Sequence, residues 1–296
     1  MEIKRALSYL CCPECFGELK LSGKRLGCVS CQREFAIING VPILLKNRLS
    51  THEESQKELF EHHYADFPDK TYRLENWRKS MVKRVFGVSF VKETKTFLDV
   101  GCGATGYLVI EAARRGAFSF GADLSLEAVL KAKKLAKREG LESRTFFLVC
   151  SAQNLPLKPA MFDYISAVSL LEHLNDDEAF IKHAAKIIKR TGFIYLCVPN
   201  GYGKIWPFLW PLYFFLDKKY GHKRHYSARS LADRLSKYGF SEKFLFYNGH
   251  LLKFVQIALE RLGLADDKIW WKIEKADINR RSNGVQLNAV YQKGVL

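Results

Sequence analysis

The chain has 296 residues, 48% apolar and 26% charged, which suits a globular protein of one α/β domain plus a small accessory module and excludes collagen, coiled coil and a disordered chain. Its net charge is +16, with the excess on the flanks: 17 Lys and Arg against 12 Asp and Glu in residues 1–95, 13 against 11 in 96–199, and 17 against 8 in 200–296. A basic flank suits an anionic partner (RNA, phospholipid headgroups or an acidic substrate) or serves solubility alone.

Residues 1–48 read as a zinc ribbon. Five of the eight cysteines lie between Cys11 and Cys31. Cys12-Pro-Glu-Cys15 and Cys28-Val-Ser-Cys31 are two knuckles twelve residues apart, a spacing that places four thiolates tetrahedrally about one zinc ion. Four sulfurs leave no open position for water or substrate, so the metal is expected to be structural. Cys12 is preferred to Cys11 as ligand because it completes a Cys-Pro-x-Cys knuckle. The start of the chain lacks the apolar stretch of a secretory signal, so disulfides are not expected and a cytoplasmic location is. Leu19–Leu26 alternates about Gly23 as a hairpin, and Phe35–Leu45 passes an Asn-Gly-Val-Pro turn into a last strand. On residues 8–46 the segment resembles the zinc-ribbon family that includes the small activator subunit of tRNA methyltransferases. In that family the ribbon precedes or partners a methyltransferase.

Residues 49–95 form a helical arm or linker that carries Phe60-Glu-His-His-Tyr64. From residue 96 the chain alternates strand and helix: strands at 96–100, 118–122, 145–150, 162–168 and 193–198, helices at 107–115, 126–138, 176–189 and 227–238, and two closing strands at 240–247 and 284–291. Such alternation means a Rossmann-like α/β fold, a seven-stranded mostly parallel sheet with helices on both faces. Ligands then bind beyond the strands' carboxyl ends. Gly101-x-Gly103-x-x-Gly106 joins the first strand to its helix, where glycine lets the backbone approach a ligand and the helix N-terminus offers free N–H groups. Asp123 closes the second strand, 22 residues after Gly101, where a carboxylate accepts both hydroxyls of a ribose. Asp99, two residues before Gly101, would meet a cationic amino group and repel a pyrophosphate.

This ordered series over residues 96–240 resembles the class I S-adenosylmethionine-dependent methyltransferases, in particular their small-molecule branch. The resemblance implies that Asp99, Gly101, Gly103 and Gly106 hold the methionine part of S-adenosylmethionine. It places Asp123 at the ribose, Leu124 beside the adenine, and Ala152 and Gln153 at the adenine edge, with Ser169 on the same rim. The family often has Asp where this chain has Ser151, which reads as a weaker contact. An aromatic residue of the arm closes over the cofactor in related enzymes, and Tyr64 is the candidate here.

The acceptor side is expected after the fourth and fifth strands. Glu172 and His173 open the segment after the fourth, with capping and packing as their ordinary role. His222-Lys-Arg-His225-Tyr226 precedes a helix that Ser227 caps, and lies over the pocket in related enzymes. His225 or His222 ranks above His173 as a general base. Between residues 199 and 226 lies an insert whose apolar run Ile205–Leu216 has 12 residues and two prolines, short of the ~20 a membrane-spanning helix needs. Lys218, Lys219, Lys223 and Arg224 follow it, a combination that reads as a peripheral membrane contact, a lid over a hydrophobic substrate, or a packing or dimer contact.

The expected activity is therefore methyl transfer from S-adenosylmethionine to a hydrophobic small-molecule or lipid-linked acceptor, at a membrane surface in one version. The alternative is an RNA methyltransferase that docks through the ribbon, since the chain also resembles ribosomal RNA guanine methyltransferases with an N-terminal zinc ribbon. Against it, residues 1–46 hold 7 Lys and Arg against 4 Glu, and Val198-Pro-Asn-Gly201 lacks the Asn/Asp-Pro-Pro-Tyr/Phe motif of amino-group methylases. A non-catalytic binding partner of the same fold is the third reading. Oligomeric state is not legible.

Overall fold

The computed structural model describes residues 3–66, 74–88, 94–202, 207, 210–250, 253, 255, 256, 258, 259, 262, 264 and 267–294. After a short helix α1 (Ile3–Ala6), β1 (Leu19–Ser22) and β2 (Arg25–Cys28) pair antiparallel with Ser22 opposite Arg25, so Gly23 and Lys24 make a two-residue turn. β3 (Glu34–Ile38) and β4 (Val41–Pro42) complete a four-stranded sheet. Asn39 and Gly40 turn between them with φ of +49° and +72°.

The seven-stranded sheet has the order β10–β11–β9–β8–β5–β6–β7. Its strands are β5 (Thr96–Val100), β6 (Phe118–Asp123), β7 (Thr145–Val149), β8 (Phe162–Val168), β9 (Ile188–Pro199), β10 (Phe240–Asn248) and β11 (Gln286–Lys293). β5 to β9 run parallel, while β11 lies antiparallel between β9 and β10. Every residue of β5 and β7 is buried, as continuous apolar strands covered on both faces must be. The covering helices include α3 (Asn76–Val88), α4 (Tyr107–Arg114), α5 (Leu126–Arg138), α6 (Asp177–Ile187) and α8 (Ala228–Ser236). Strand order reverses between β5 and β8, which puts the switch point at their carboxyl ends.

The ribbon packs on the β7 edge of this sheet. Past β4, Ile43 bridges Val149 in parallel and the Leu44 N–H donates to the Val149 carbonyl at 2.8 Å. The Cys11 N–H reaches the Pro156 carbonyl at 3.0 Å, and the Lys158 N–H the Tyr9 carbonyl at 2.8 Å. Leu10, Leu26 and Leu44 belong to the same apolar cluster as Leu98, Phe120 and Ile165, so a segment too small for a core of its own shares a larger one.

Several boundaries differ from expectation. Asp176 is the N-cap of α6 rather than its first residue, its carboxylate accepting from the Ala179 N–H at 2.9 Å. The helix stops at Ile187 because Ile188 pairs with Phe162 and opens β9. The last strand starts two residues late, at Gln286, and Gly284 before it makes a tight approach, where a Cβ would stand 2.8 Å from the Asn248 carbonyl. Of the apolar run Ile205–Leu216, Ile205, Trp206, Phe208 and Leu209 lie outside the described residues, Pro207 stands before α7 (Trp210–Tyr220), and residues 210–216 belong to that helix. Among the described residues no helix is long and apolar enough to cross a membrane. A last helix, α9 (Asp267–Asp277), buries Trp270.

Candidate active site

Gly101, Gly103 and Gly106 carry the chain from β5 into α4 with φ of +78°, +59° and +49°. Glycine is required twice over at Gly106, where a Cβ would stand 2.9 Å from the Ala132 Cβ and 3.2 Å from the Phe147 ring. Gly106 is also the N-cap of α4 and no side chain caps it, so the first-turn N–H groups are available to an anion. The Asp123 carboxylate accepts from the Gly103 N–H at 2.9 Å and from the Ser125 N–H at 3.0 Å, tying the loop to β6. Burial raises its pKa against these bonds, and the nearby Glu61 carboxylate adds to the rise.

Above these ends opens a cavity of about 600 Å³, a size suited to a small ligand. Gly101, Asp123, Leu124, Ala152, Gln153 and Ser169 all line it, as do Tyr64, His173 and His222. Asp99 lies a layer deeper, 3% exposed, with its Oδ1 accepting from the Ser166 hydroxyl at 2.6 Å, and is not part of the wall. Burial pushes its pKa up to about 7, the Ser166 bond opposing and Asp123 adding. Gly103 and Gly106 shape the loop from behind rather than facing the cavity.

The arm roofs one end. α2 (Thr51–Ala65) opens with a capping box of Ser50 and Glu53, and its C-terminal part is fastened to α5 by two clasps. Glu61 accepts from the N–H groups of Leu126 at 2.8 Å and Glu127 at 3.1 Å, placing negative charge at the N-terminus of α5. Lys131 in turn donates to the carbonyls of Tyr64 and Ala65 at the C-terminus of α2. These clasps set Tyr64 above Gly103, where an added Cβ would stand 3.0 Å from its hydroxyl. Glu53 accepts from the Ser151 hydroxyl, so the carboxylate absent at position 151 is supplied from the arm. Burial works against ionisation of Glu53, but the bonds from Ser151 and Ser50 win and hold its pKa below the ordinary value.

The other end is built around Asp217, near the end of α7. Its carboxylate accepts from the Tyr202 hydroxyl, from His222 Nδ1 at 2.8 Å and from His225 Nε2 at 2.8 Å. Burial would raise its pKa, yet these donors hold it below the ordinary carboxylate value. His225, one of the two histidines ranked above His173 as a base, also donates from Nδ1 to the Asn200 carbonyl at 2.8 Å. With both ring nitrogens engaged and no place on the cavity wall, it braces Asp217 instead of meeting a substrate. His222 lines the cavity, and its ring packs edge-on against His173 at 4.7 Å. Burial, with His222 adding, pushes the His173 pKa down to about 4. Glu172 is 1% exposed, and burial, with Asp217 adding, pushes its pKa up to about 8.

In the ribbon, the sulfurs of Cys12, Cys15, Cys28 and Cys31 lie within 4.8 Å of one another, with Cys12–Cys31 at 3.6 Å and Cys15–Cys28 at 3.5 Å. Tetrahedral Zn–S bonds of ~2.3 Å would separate sulfurs by roughly 3.8 Å, so this cluster fits a zinc ion. Of the basic cluster after the insert, Arg224 is turned inward onto Asp177 at 2.6 Å. Sequence reasoning missed Glu53, Glu61 and Asp217. The Ser50-x-x-Glu53 capping spacing and the Asp217, His222, His225 spacing were the available signals.

A protein-family model described as a methyltransferase domain matches residues 98–196. Norajmaline N-methyltransferase of Rauvolfia serpentina is 38% identical over 96 residues, 32% of this chain and 33% of the relative. A ubiquinone biosynthesis O-methyltransferase of Escherichia coli is 28% identical over 167 residues, 55% of this chain and 68% of the relative. The chain thus spans about one third of the length of the first of these curated relatives. In fold it is similar to Haemonchus contortus phosphoethanolamine N-methyltransferase 2, solved with phosphomonomethylethanolamine and S-adenosylhomocysteine. That likeness has a TM-score of 0.57 and 16% identity, and covers 82% of this chain and 58% of the other. The glycine loop, Asp123 and Ser151–Gln153 of the cavity wall all fall within the stretch that matches the methyltransferase-domain model.

Proposed function

We propose that this protein transfers a methyl group from S-adenosylmethionine to a small, largely apolar acceptor. The observation that carries the reading is one cavity whose walls include Gly101 and Asp123 at one end and His173 and His222 at the other. In-line displacement from a sulfonium needs donor and acceptor held together, and a shared cavity does that. The uncapped start of α4 and the glycine loop take the methionine carboxylate, and Asp123 takes the ribose. Leu124, Ala152 and Gln153 take the adenine, Asp99 supports the loop electrostatically, and Tyr64 closes from above. The acceptor's lone pair attacks the methyl carbon, the C–S bond breaks and S-adenosylhomocysteine leaves. Where the acceptor carries a proton, His222 Nε2 receives it, because Asp217 behind its Nδ1 stabilises the imidazolium.

An apolar, lipid-like acceptor suits the cavity's Phe60, Trp77, Leu170 and Leu174. It also suits the adjoining α7, where Phe214 is 62% and Phe215 68% exposed beside the exposed Lys218 and Lys219. A peripheral membrane contact through residues 205–224 would deliver such an acceptor. We further assign structural zinc to Cys12, Cys15, Cys28 and Cys31 in a ribbon of the activator-subunit type. The assignment divides the chain into residues 1–48, an arm of 49–95, and a methyltransferase domain of 96–296 with its insert at 199–226.

The test is transfer of tritium from methyl-labelled S-adenosylmethionine into a fractionated lysate. Label in organic-phase lipids or aqueous small molecules is the expected result. Label confined to RNA would overturn the acceptor class, and failure to bind S-adenosylmethionine would leave only a binding protein.

A further inference from the structure

The acceptor end presents lone pairs without donors to meet them. Glu172 follows β8 on the turn Leu171–His173, and its Oε2 is buried with no hydrogen-bond partner. The Nδ1 of His173 is buried and unpartnered as well. With its proton on Nε2, this ring turns a free Nδ1 lone pair to the cluster. On His222 the roles are reversed: Nδ1 is held by Asp217 Oδ1 at 2.8 Å, which leaves the lone pair on Nε2. Two imidazoles and a carboxylate oxygen thus converge within 4.8 Å of one another. The His222 ring is steered from behind by the Asp217 carboxylate, the arrangement that orients metal-ligating histidines.

We propose that Glu172, His173 and His222 bind a divalent transition-metal cation. Two nitrogens and a carboxylate oxygen favour manganese, iron, cobalt or zinc over calcium or magnesium. Bonds of ~2.1 Å would bring the three ligand atoms to roughly 3.0–3.4 Å apart, so the ion draws the set inward. Three protein ligands leave positions open on the cavity side, where the oxygen of a phenol, catechol or hydroxy acid would complete the sphere. The ion and the acceptor's proton compete for the same nitrogen of His222. With the ion bound, the acceptor oxygen loses its proton to solvent through metal coordination. The proposal shares with the preceding section the assignment of this end to the acceptor, but ion binding does not require the methyl donor.

The test uses the full chain with the ribbon cysteines left metal-loaded. Manganese(II) chloride is titrated in and the free ion counted by its electron paramagnetic resonance signal, while S-adenosylmethionine affinity is measured by calorimetry on the same samples. One saturable equivalent is expected. Glu172→Gln and His222→Ala should each weaken it by about 10–100-fold, and Asp217→Asn by about tenfold, with melting temperature and cofactor affinity retained. Cobalt(II) gives a second readout independent of any variant: weak d–d bands without thiolate charge transfer support the nitrogen–oxygen site. Absence of saturable manganese and cobalt binding by the wild type overturns the proposal, as does binding unchanged in Glu172→Gln and His222→Ala. Lost cofactor affinity with intact ion binding would instead count against the methyl-transfer reading alone.

Discussion

Asp99→Asn isolates the cost of keeping a charge beneath the glycine loop. The amide keeps the shape of the carboxyl and an oxygen for the Ser166 hydroxyl, which now sits at 2.6 Å. In the native protein burial lifts the Asp99 pKa from 3.8 to about 7. The folded state therefore holds a proton that the unfolded chain has released, so stability falls as pH rises from 3.8 to about 7 and is level beyond. At ~1.36 kcal/mol per unit, the fully ionised carboxylate costs the folded protein about 4 kcal/mol, and roughly half of that has accrued by pH 5.5. The variant should escape this cost, so its stability advantage should widen by about 2 kcal/mol between pH 5.5 and pH 8. Urea unfolding followed by tryptophan fluorescence at several pH values, without cofactor, reads the difference directly. The same variant should bind S-adenosylmethionine more weakly, because the negative potential under the loop is gone. A stability difference that does not change with pH would refute the buried-charge reasoning.

Asp123→Ala should lower S-adenosylmethionine affinity at least ~100-fold by calorimetry, since two charge-assisted ribose bonds of about 1.5–3 kcal/mol each are lost; full affinity would remove Asp123 from the site. Gly106→Ala combines a left-handed φ of +49° with contacts at 2.9 Å and 3.2 Å, and should cost about 2–4 kcal/mol, seen as a melting point lowered by several degrees. Cys28→Ser should drop zinc, measured by plasma mass spectrometry, from about one ion per chain toward none; an unchanged metal content would dissolve the knuckle assignment. Glu61→Ala should destabilise the fold by about 1–3 kcal/mol and weaken cofactor binding together, because one carboxylate serves both the α5 terminus and the placement of Tyr64.

The sheet was readable because parallel strands buried on both faces, such as Thr96–Val100, have no polar face to confuse their pattern. Asp123 was readable too, since its distance from Gly101 is a property of one βαβ unit. Side chains that act across the chain were harder. Glu53 satisfies a local capping box, and nothing in its neighbours says that its other oxygen meets Ser151, 98 residues away. His222 and His225 stand three residues apart on one segment, and only the position of Asp217 between them decides which faces the cavity. Arg224 looked like its lysine neighbours until Asp177, with Tyr226 and Arg234 also upon it, claimed it for the interior.

The seating of the ribbon beside β7 has a consequence for handling in the cell. An outermost parallel strand exposes a row of unsatisfied amides and carbonyls, and such rims template sticky intermolecular growth. Here Ile43 and Leu44 occupy part of that rim at Val149. A chain whose first fifty residues failed to fold would leave that part of the rim bare. Scarcity of the zinc proposed for the four cysteines would then register as precipitation and proteolysis.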